Sequence, residues 1–165
     1  MSDFILSPDD GQLVWLGGLG IQFKLDGTNT QGAFSVVEHP LEAGAFAPPH
    51  THSREDEFSF VLEGTVGVML GDQEFLVTRG SYIVKPRGIP HAFWNPGPEP
   101  ARLLEIIAPS GFERYFMQIA ALVNKNAPPD EEAIAKLASE YGLTYHMEQM
   151  PELIAKHGLR TPGSS

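Results

Sequence analysis

The sequence predicts an all-β protein, an antiparallel barrel followed by a C-terminal α-helical extension. Three observations carry that expectation. Short β-rich runs recur from Gln12 to about Ala108, and Gly, Pro, Asn and Asp break them at regular intervals. The hydrophobic period then changes from 2 to 3.6 after Pro109. No run of apolar residues is long enough to cross a membrane as a helix.

The runs are QLVWL, IQFKL, AFSVVEH, EFSFVLE, TVGVML, QEFLVT, SYIVKP, HAFWN and ARLLEII. Gly71-Asp72 suits a tight hairpin turn with glycine at the first central position. PGPEP at 96–100 reads as a loop, because proline cannot donate to a strand ladder. Beyond it, Phe112, Tyr115, Phe116, Ile119, Leu122 and Val123 mark one face of a helix. Ser110 and Glu113 have the spacing of a capping box. A second helix is expected from Asp130 to Gly142, with Ile134, Leu137, Ala138 and Tyr141 turned inward. A third holds Met150, Leu153, Ile154 and His157, and GLRTPGSS reads as a frayed tail. The plan is a barrel over residues 1–108 and a helical extension over 109–165.

Composition narrows the function. The chain of 165 residues suits one domain with a proper core. A formal net charge of −10 repels a phosphate backbone, which argues against nucleic acid as a partner. The N-terminal MSDFILSPDDG has no basic, apolar leader pattern, so a cytoplasmic protein without membrane attachment is expected. There is no cysteine, so any metal must be held by nitrogen and oxygen.

The stretch PPHTHSREDEF, residues 48–58, raises the question of such a metal. His50 and His52 lie two apart on an extended segment, and alternation with period 2 turns both imidazoles to one side. Glu57 shares a face with Ser59 and Val61, whereas Glu55 and Asp56 are expected in a turn facing water. His91, opening a strand after PRGIP, supplies a fourth ligand. Three imidazoles and one carboxylate suit one divalent transition ion per chain, Fe, Ni, Mn, Co or Zn. Glu57 is read first as a ligand, and second as a catalytic base toward a substrate hydroxyl. His39, His146 and His157 are read as surface or internally satisfied histidines. Phe93 has the inward parity of His91, and Trp94 the outward one, against the outside or another subunit. Phe46, Phe58, Phe60, Phe75 and Tyr82 are core or pocket candidates.

The stretch GAFAPPHTHSREDEFSFVLEG resembles the first motif of the cupin superfamily at Gly44, His50, His52, Glu57 and Gly64. GSYIVKPRGIPHAFWN resembles the second at Gly80, Pro86, Gly88, His91 and Asn95. The resemblance implies an antiparallel cupin barrel, that is a jelly roll or double-stranded β-helix, with ligand roles for His50, His52, Glu57 and His91. More loosely, the chain resembles the quercetin-dioxygenase-like bacterial cupins, which implies a metal-dependent dioxygenase acting on a flavonol-like or other small enolisable molecule. Two alternatives stand beside it: a sugar or small-acid isomerase or epimerase, and a non-catalytic ligand or metal sensor. By the same analogy the protein is expected to be a homodimer.

Overall fold

The computed structural model describes residues 5–123 and 130–160. Ten strands precede the helices: β1 Leu13–Leu16, β2 Leu19–Leu25, β3 Ser35–Leu41, β4 Phe46–His52, β5 Asp56–Glu63, β6 Thr65–Leu70, β7 Gln73–Thr78, β8 Tyr82–Lys85, β9 His91–Trp94 and β10 Ala101–Ala108. Then come α1 Glu113–Val123, α2 Glu131–Glu140, β11 Leu143–Tyr145 and α3 Met150–His157. One sheet has the order β1-β2-β3-β10-β5-β8, and the other β11-β4-β9-β6-β7. All the pairings are antiparallel. Their inner faces, with Ile21, Val37, Val61, Val68, Leu103 and Ile107, enclose the main core. Among the described residues, no helix is long and apolar enough to cross a membrane.

Strand alternation works as read. In β5, Glu57, Ser59 and Val61 are buried, while Phe58 on the other face is exposed. The hairpin at Gly71-Asp72 pairs Leu70 with Gln73, and Gly71 takes a φ of 57°, a left-handed value that glycine adopts without steric cost.

Strand β4 is the element the list of β-rich runs lacked, because Pro48 and Pro49 argue against a central strand. The pairing with β9 shows how they are accommodated. Between Ala47 and His50 the register slips, so that β4 advances three residues while β9 advances two, from Phe93 to His91. The extra residue is a bulge at the prolines, which removes their missing amides from the ladder and reverses side-chain parity. Ala47 and His50 therefore both face the interior.

The segment after residue 109 is helical where expected, and it also returns a strand. Asp130 caps α2, its carboxylate accepting from the Ala133 amide at 3.0 Å. The expected capping box at Ser110 does not form. Glu113 instead accepts from the amides of Gly111 and of Gly27, the latter at 3.3 Å, which ties the start of α1 to the loop after β2. β11 pairs with β4, setting Tyr145 opposite His50 and Leu143 opposite His52. The reading of a frayed tail fails at its start: Leu159 is buried, and the Arg160 amide donates to Gly44 O at 3.0 Å. Residues 161–165, the rest of that tail, lie outside the described residues.

Trp94 points away from the barrel interior as its parity requires, but the chain itself covers it. Leu153 and Leu159 pack against it, and the His157 ring lies 4.4 Å away. His157 and Lys156 also hold Glu74 of β7, at 2.9 and 3.0 Å. Phe75 and Tyr82 are not core; they line a second, open pocket with Val68, Leu70 and Val84, away from the metal-ligand cavity. They lie exposed on β7 and β8, the edge strands of the two sheets on one side of the molecule.

Candidate metal centre

His50 and His52 come from β4, Glu57 from β5 and His91 from β9, and all four are at the edge of burial or beyond it. Each offers one ligand atom, and these four atoms lie within 4.8 Å of one another. The set expected from the sequence thus converges in space.

The histidines are oriented from behind. His50 Nδ1 donates to Pro48 O at 2.6 Å, and His91 Nδ1 donates to Ile89 O at 3.0 Å. His52 Nδ1 has the Glu55 carboxylate at 3.5 Å. In His50 and His91 the bonded Nδ1 leaves Nε2 as the nitrogen the ring can present, the arrangement by which metal-binding histidines are fixed in tautomer and direction, whereas neither nitrogen of His52 has a hydrogen-bond partner among the described residues. Glu55 therefore does not face water as expected: it is 6% exposed and lies behind His52. Asp56 behaves as an outer residue, its carboxylate gripped by Arg87 at 2.7 and 3.1 Å and held down to about 2.

The donor set fits a cation. His52 Nε2 is sealed from solvent and has no hydrogen-bond partner, although Glu57 Oε1 is 3.3 Å away. An unsatisfied buried nitrogen beside a carboxylate and two more imidazoles costs free energy unless something electrophilic satisfies them together. Burial, reinforced by His91 and His52, pushes the His50 imidazolium well down, and burial also lowers His91, against the bond to Glu57. Both are therefore neutral near neutral pH, the form in which an imidazole can bind a metal. Burial alone would raise Glu57, but the Lys85 ammonium, with His52 and His91, outweighs it and holds the carboxyl well below its usual range.

Lys85 and Glu105 are the charged residues that the sequence reading passed over. Both are 1% exposed. Lys85 Nζ lies 3.0 Å from Glu57 Oε2 and 2.7 Å from Glu105 Oε2, and Ser59 Oγ donates to the Glu105 carboxylate at 3.2 Å. Burial would depress Lys85, but Glu105 and Glu57 raise it, so the amine stays charged. Burial, with repulsion from Glu57, lifts Glu105 to about 7 against the pull of Lys85. Strand parity was the available signal: Lys85 follows Ile83 on the inward face of β8, and Glu105 sits between inward Leu103 and Ile107 on β10.

A small cavity adjoins His50 and Glu57, bounded by Leu16, Ala47, Phe93, Phe112 and Phe116. About 60 Å³ of it is open to the centres of water-sized molecules, room for a few waters or a compact ligand. Its polar lining adds His39, Glu105, Tyr115 and Tyr145. Phe112 stands edge-on to His52 at 4.3 Å, so the extension supplies much of the wall facing the ligands. His146 and His157 are satisfied elsewhere, by Thr51 and by Glu74.

The comparisons agree with this architecture. Residues 38–107 match the Cupin domain family, and that segment contains all four candidate ligands. Germin-like protein 1-1 of Oryza sativa subsp. japonica is 37% identical over 108 residues, 62% of this chain and 49% of that protein. The rhicadhesin receptor of Pisum sativum is 35% identical over 92 residues, 53% of this chain and 42% of that one. The chain thus matches less than half the length of either relative. An RmlC-like cupin from Shewanella frigidimarina superposes with a TM-score of 0.59 at 20% identity, covering 68% of this chain and 96% of that one, a likeness of fold. A sugar phosphate isomerase from the cupin superfamily, of Silicibacter pomeroyi, superposes with a TM-score of 0.51 at 27% identity, covering 56% and 60%.

Proposed function

We propose that this chain, a cupin by its matched domain and its fold, is a metal-dependent dioxygenase acting on a small enolisable organic substrate. The observation that carries the reading is the convergence of His50, His52, Glu57 and His91 within 4.8 Å beside an apolar cavity. A bound divalent transition ion, Fe, Ni, Mn, Co or Zn, would supply Lewis acidity to an oxygen of the substrate and, for the redox-active ions, a route to O2.

The chain's own residues do the rest. His50, His52 and His91 would present ring nitrogens; Glu57 would present Oε1, while Lys85 and His91 both lie 3.0 Å from its Oε2. Glu57 is also the carboxylate at the centre for the proton of a substrate hydroxyl, and the grip of Lys85 sets how far it can turn to take it. Phe93, Phe112 and Phe116 exclude bulk water from the cavity, which strengthens every charge interaction inside it. The cavity's size favours compact enolisable compounds; a three-ring flavonol requires the wall at Phe112 and Phe116 to move.

Oxygen uptake by the metal-loaded protein tests this reading against a panel running from small enolisable ketones and acids to flavonols. Uptake that tracks substrate loss is expected. No uptake with any of the metals across that panel overturns the oxygenase assignment.

The likeness to a sugar phosphate isomerase supports a second reading, in which a metal-polarised carbonyl is isomerised without O2. Product formation under anaerobic conditions would select it.

A further inference from the structure

His39 holds a position that the metal-ligand set leaves unused. It is 2% exposed, its ring lies between Phe93 and Phe116 at 5.5 and 5.7 Å, and it lines the same cavity as His50 and Glu57. Its Nδ1 donates to Gly20 O at 3.0 Å. In a neutral ring this leaves Nε2 as a bare acceptor. Among the described residues Nε2 has no hydrogen-bond partner, nor is it one of the sealed polar atoms. His39 lines the cavity, and Nε2 is the nitrogen it has left to offer there. Burial pushes the imidazolium down to about 4, so the ring is an acceptor across the physiological range.

The other polar feature of the cavity is a pair of hydroxyls. Tyr115 and Tyr145 lie with their oxygens 2.6 Å apart, and whichever donates leaves the other O–H free to donate to a third atom. Tyr145 is the strand partner of His50, with the two rings 6.3 Å apart, so this donor sits beside the candidate centre.

Charge limits what can enter. The cavity lining contains no Arg and no Lys among the described residues. The cation behind it, Lys85, is already shared by Glu57 and Glu105. Three buried carboxylates, Glu55, Glu57 and Glu105, stand against the one ammonium of Lys85 and repel a dianion; a divalent ion at the centre brings the local balance to about zero, which suits a neutral chelate.

We infer that His39 and the Tyr115–Tyr145 pair form the recognition face of this cavity, and that its ligand is a small, unphosphorylated hydroxycarbonyl compound. Adjacent oxygens of the ligand face the metal centre under the tyrosine O–H, and a further hydroxyl donates to His39 Nε2. The inference rests on the metal-centre reading above and names the substrate class for it.

Three probes separate its parts: hydroxyacetone, dihydroxyacetone, which adds the second hydroxyl, and dihydroxyacetone phosphate, which adds charge. Binding is read by saturation-transfer NMR on protein loaded with diamagnetic Zn, with metal content measured separately. Dihydroxyacetone is expected to bind about tenfold tighter than hydroxyacetone, the usual effect of one buried hydrogen bond. The phosphate is expected to bind more weakly than either. His39→Asn, whose amide can keep the bond to Gly20, and His39→Phe are each expected to erase the tenfold preference while leaving metal content and hydroxyacetone binding in place. Tyr145→Phe is expected to weaken both ketones alike. Equal binding of the two ketones by the natural protein, a preference that survives in both His39 variants, or tightest binding by the phosphate overturns the inference. Absence of bound Zn overturns the metal-centre reading instead, and the ratio of the two ketones on the metal-free protein still decides the role of His39.

Discussion

Lys85 Nζ sits 3.0 Å from Glu57 Oε2, in a strand pair where the two residues face each other directly across β5 and β8. The same ammonium closes on Glu105 at 2.7 Å, so one buried cation serves two buried carboxylates. Removing it strands both. Lys85→Met is expected to cost about 3–5 kcal/mol in urea denaturation, the usual penalty for leaving buried charge unpaired. Glu105→Gln, which keeps the shape and leaves Lys85 its partner Glu57, should cost clearly less. Equal losses would mean that the Lys85–Glu105 pair carries the whole effect and that Glu57 is not left unpaired when Lys85 is removed.

Elemental analysis should find about one transition ion per chain in the natural protein, or after reconstitution, if the four ligands act as one site. His50→Ala combined with His52→Ala should abolish it. Circular dichroism should still show a folded β protein, because the strand ladders do not depend on those imidazoles. Undiminished metal in the double variant would place the ion elsewhere.

His39 makes acid destabilisation predictable in sign. Burial, the largest cause, and Lys85 depress its folded value to about 4, against the bond to Gly20 and the charge of Glu57. The unfolded chain, near 6.5, binds the proton first, so stability is full above about 6.5 and is lost as pH falls toward about 4. The shift is worth at most roughly 3 kcal/mol. His39→Phe, measured in urea at a series of pH values without metal, should flatten the curve in that window. An unchanged slope would assign the acid sensitivity to other groups.

Gly67 lies under the Trp94 ring, and a β-carbon there would stand 2.0 Å from it. Gly67→Ala should therefore destabilise by about 1–3 kcal/mol through overpacking. It should also shift tryptophan emission to the red as the indole leaves its site under α3. Unaltered emission and stability would show that the sheet absorbs the methyl group.

Homodimerisation is expected to use the edges formed by β7 and β8, where Tyr82 is 81% exposed and Leu76, Val84 and Phe75 join it. Unpaired edges with apolar side chains invite strand or face pairing. Light scattering should give twice 18.0 kDa for the natural chain and a monomer for Tyr82→Lys combined with Val84→Lys. A monomer mass for the natural protein would remove the expectation.

The candidate ligands His50, His52 and Glu57 were legible in the sequence because the interval of two in PPHTH and the parity of Glu57 along EFSFVLE follow from strand geometry alone. The change of period after Pro109 likewise revealed α1, α2 and α3. Strand β4 was harder, since its prolines contradict a central strand until the bulge beside β9 is seen, and a bulge is a property of two strands together. The same limit hid the Lys85–Glu105 pair and the role of His39, whose contacts join strands across 20 and 19 residues of chain. Glu55 is only three residues from His52, and parity along one strand does not reach it because it lies in the turn between β4 and β5. Periodicity reports which way a side chain faces. Only the packed sheets decide what it meets there, and burial between them turns an ordinary lysine, glutamate and histidine into a shared counter-ion, a carboxylate near neutrality and a cavity acceptor.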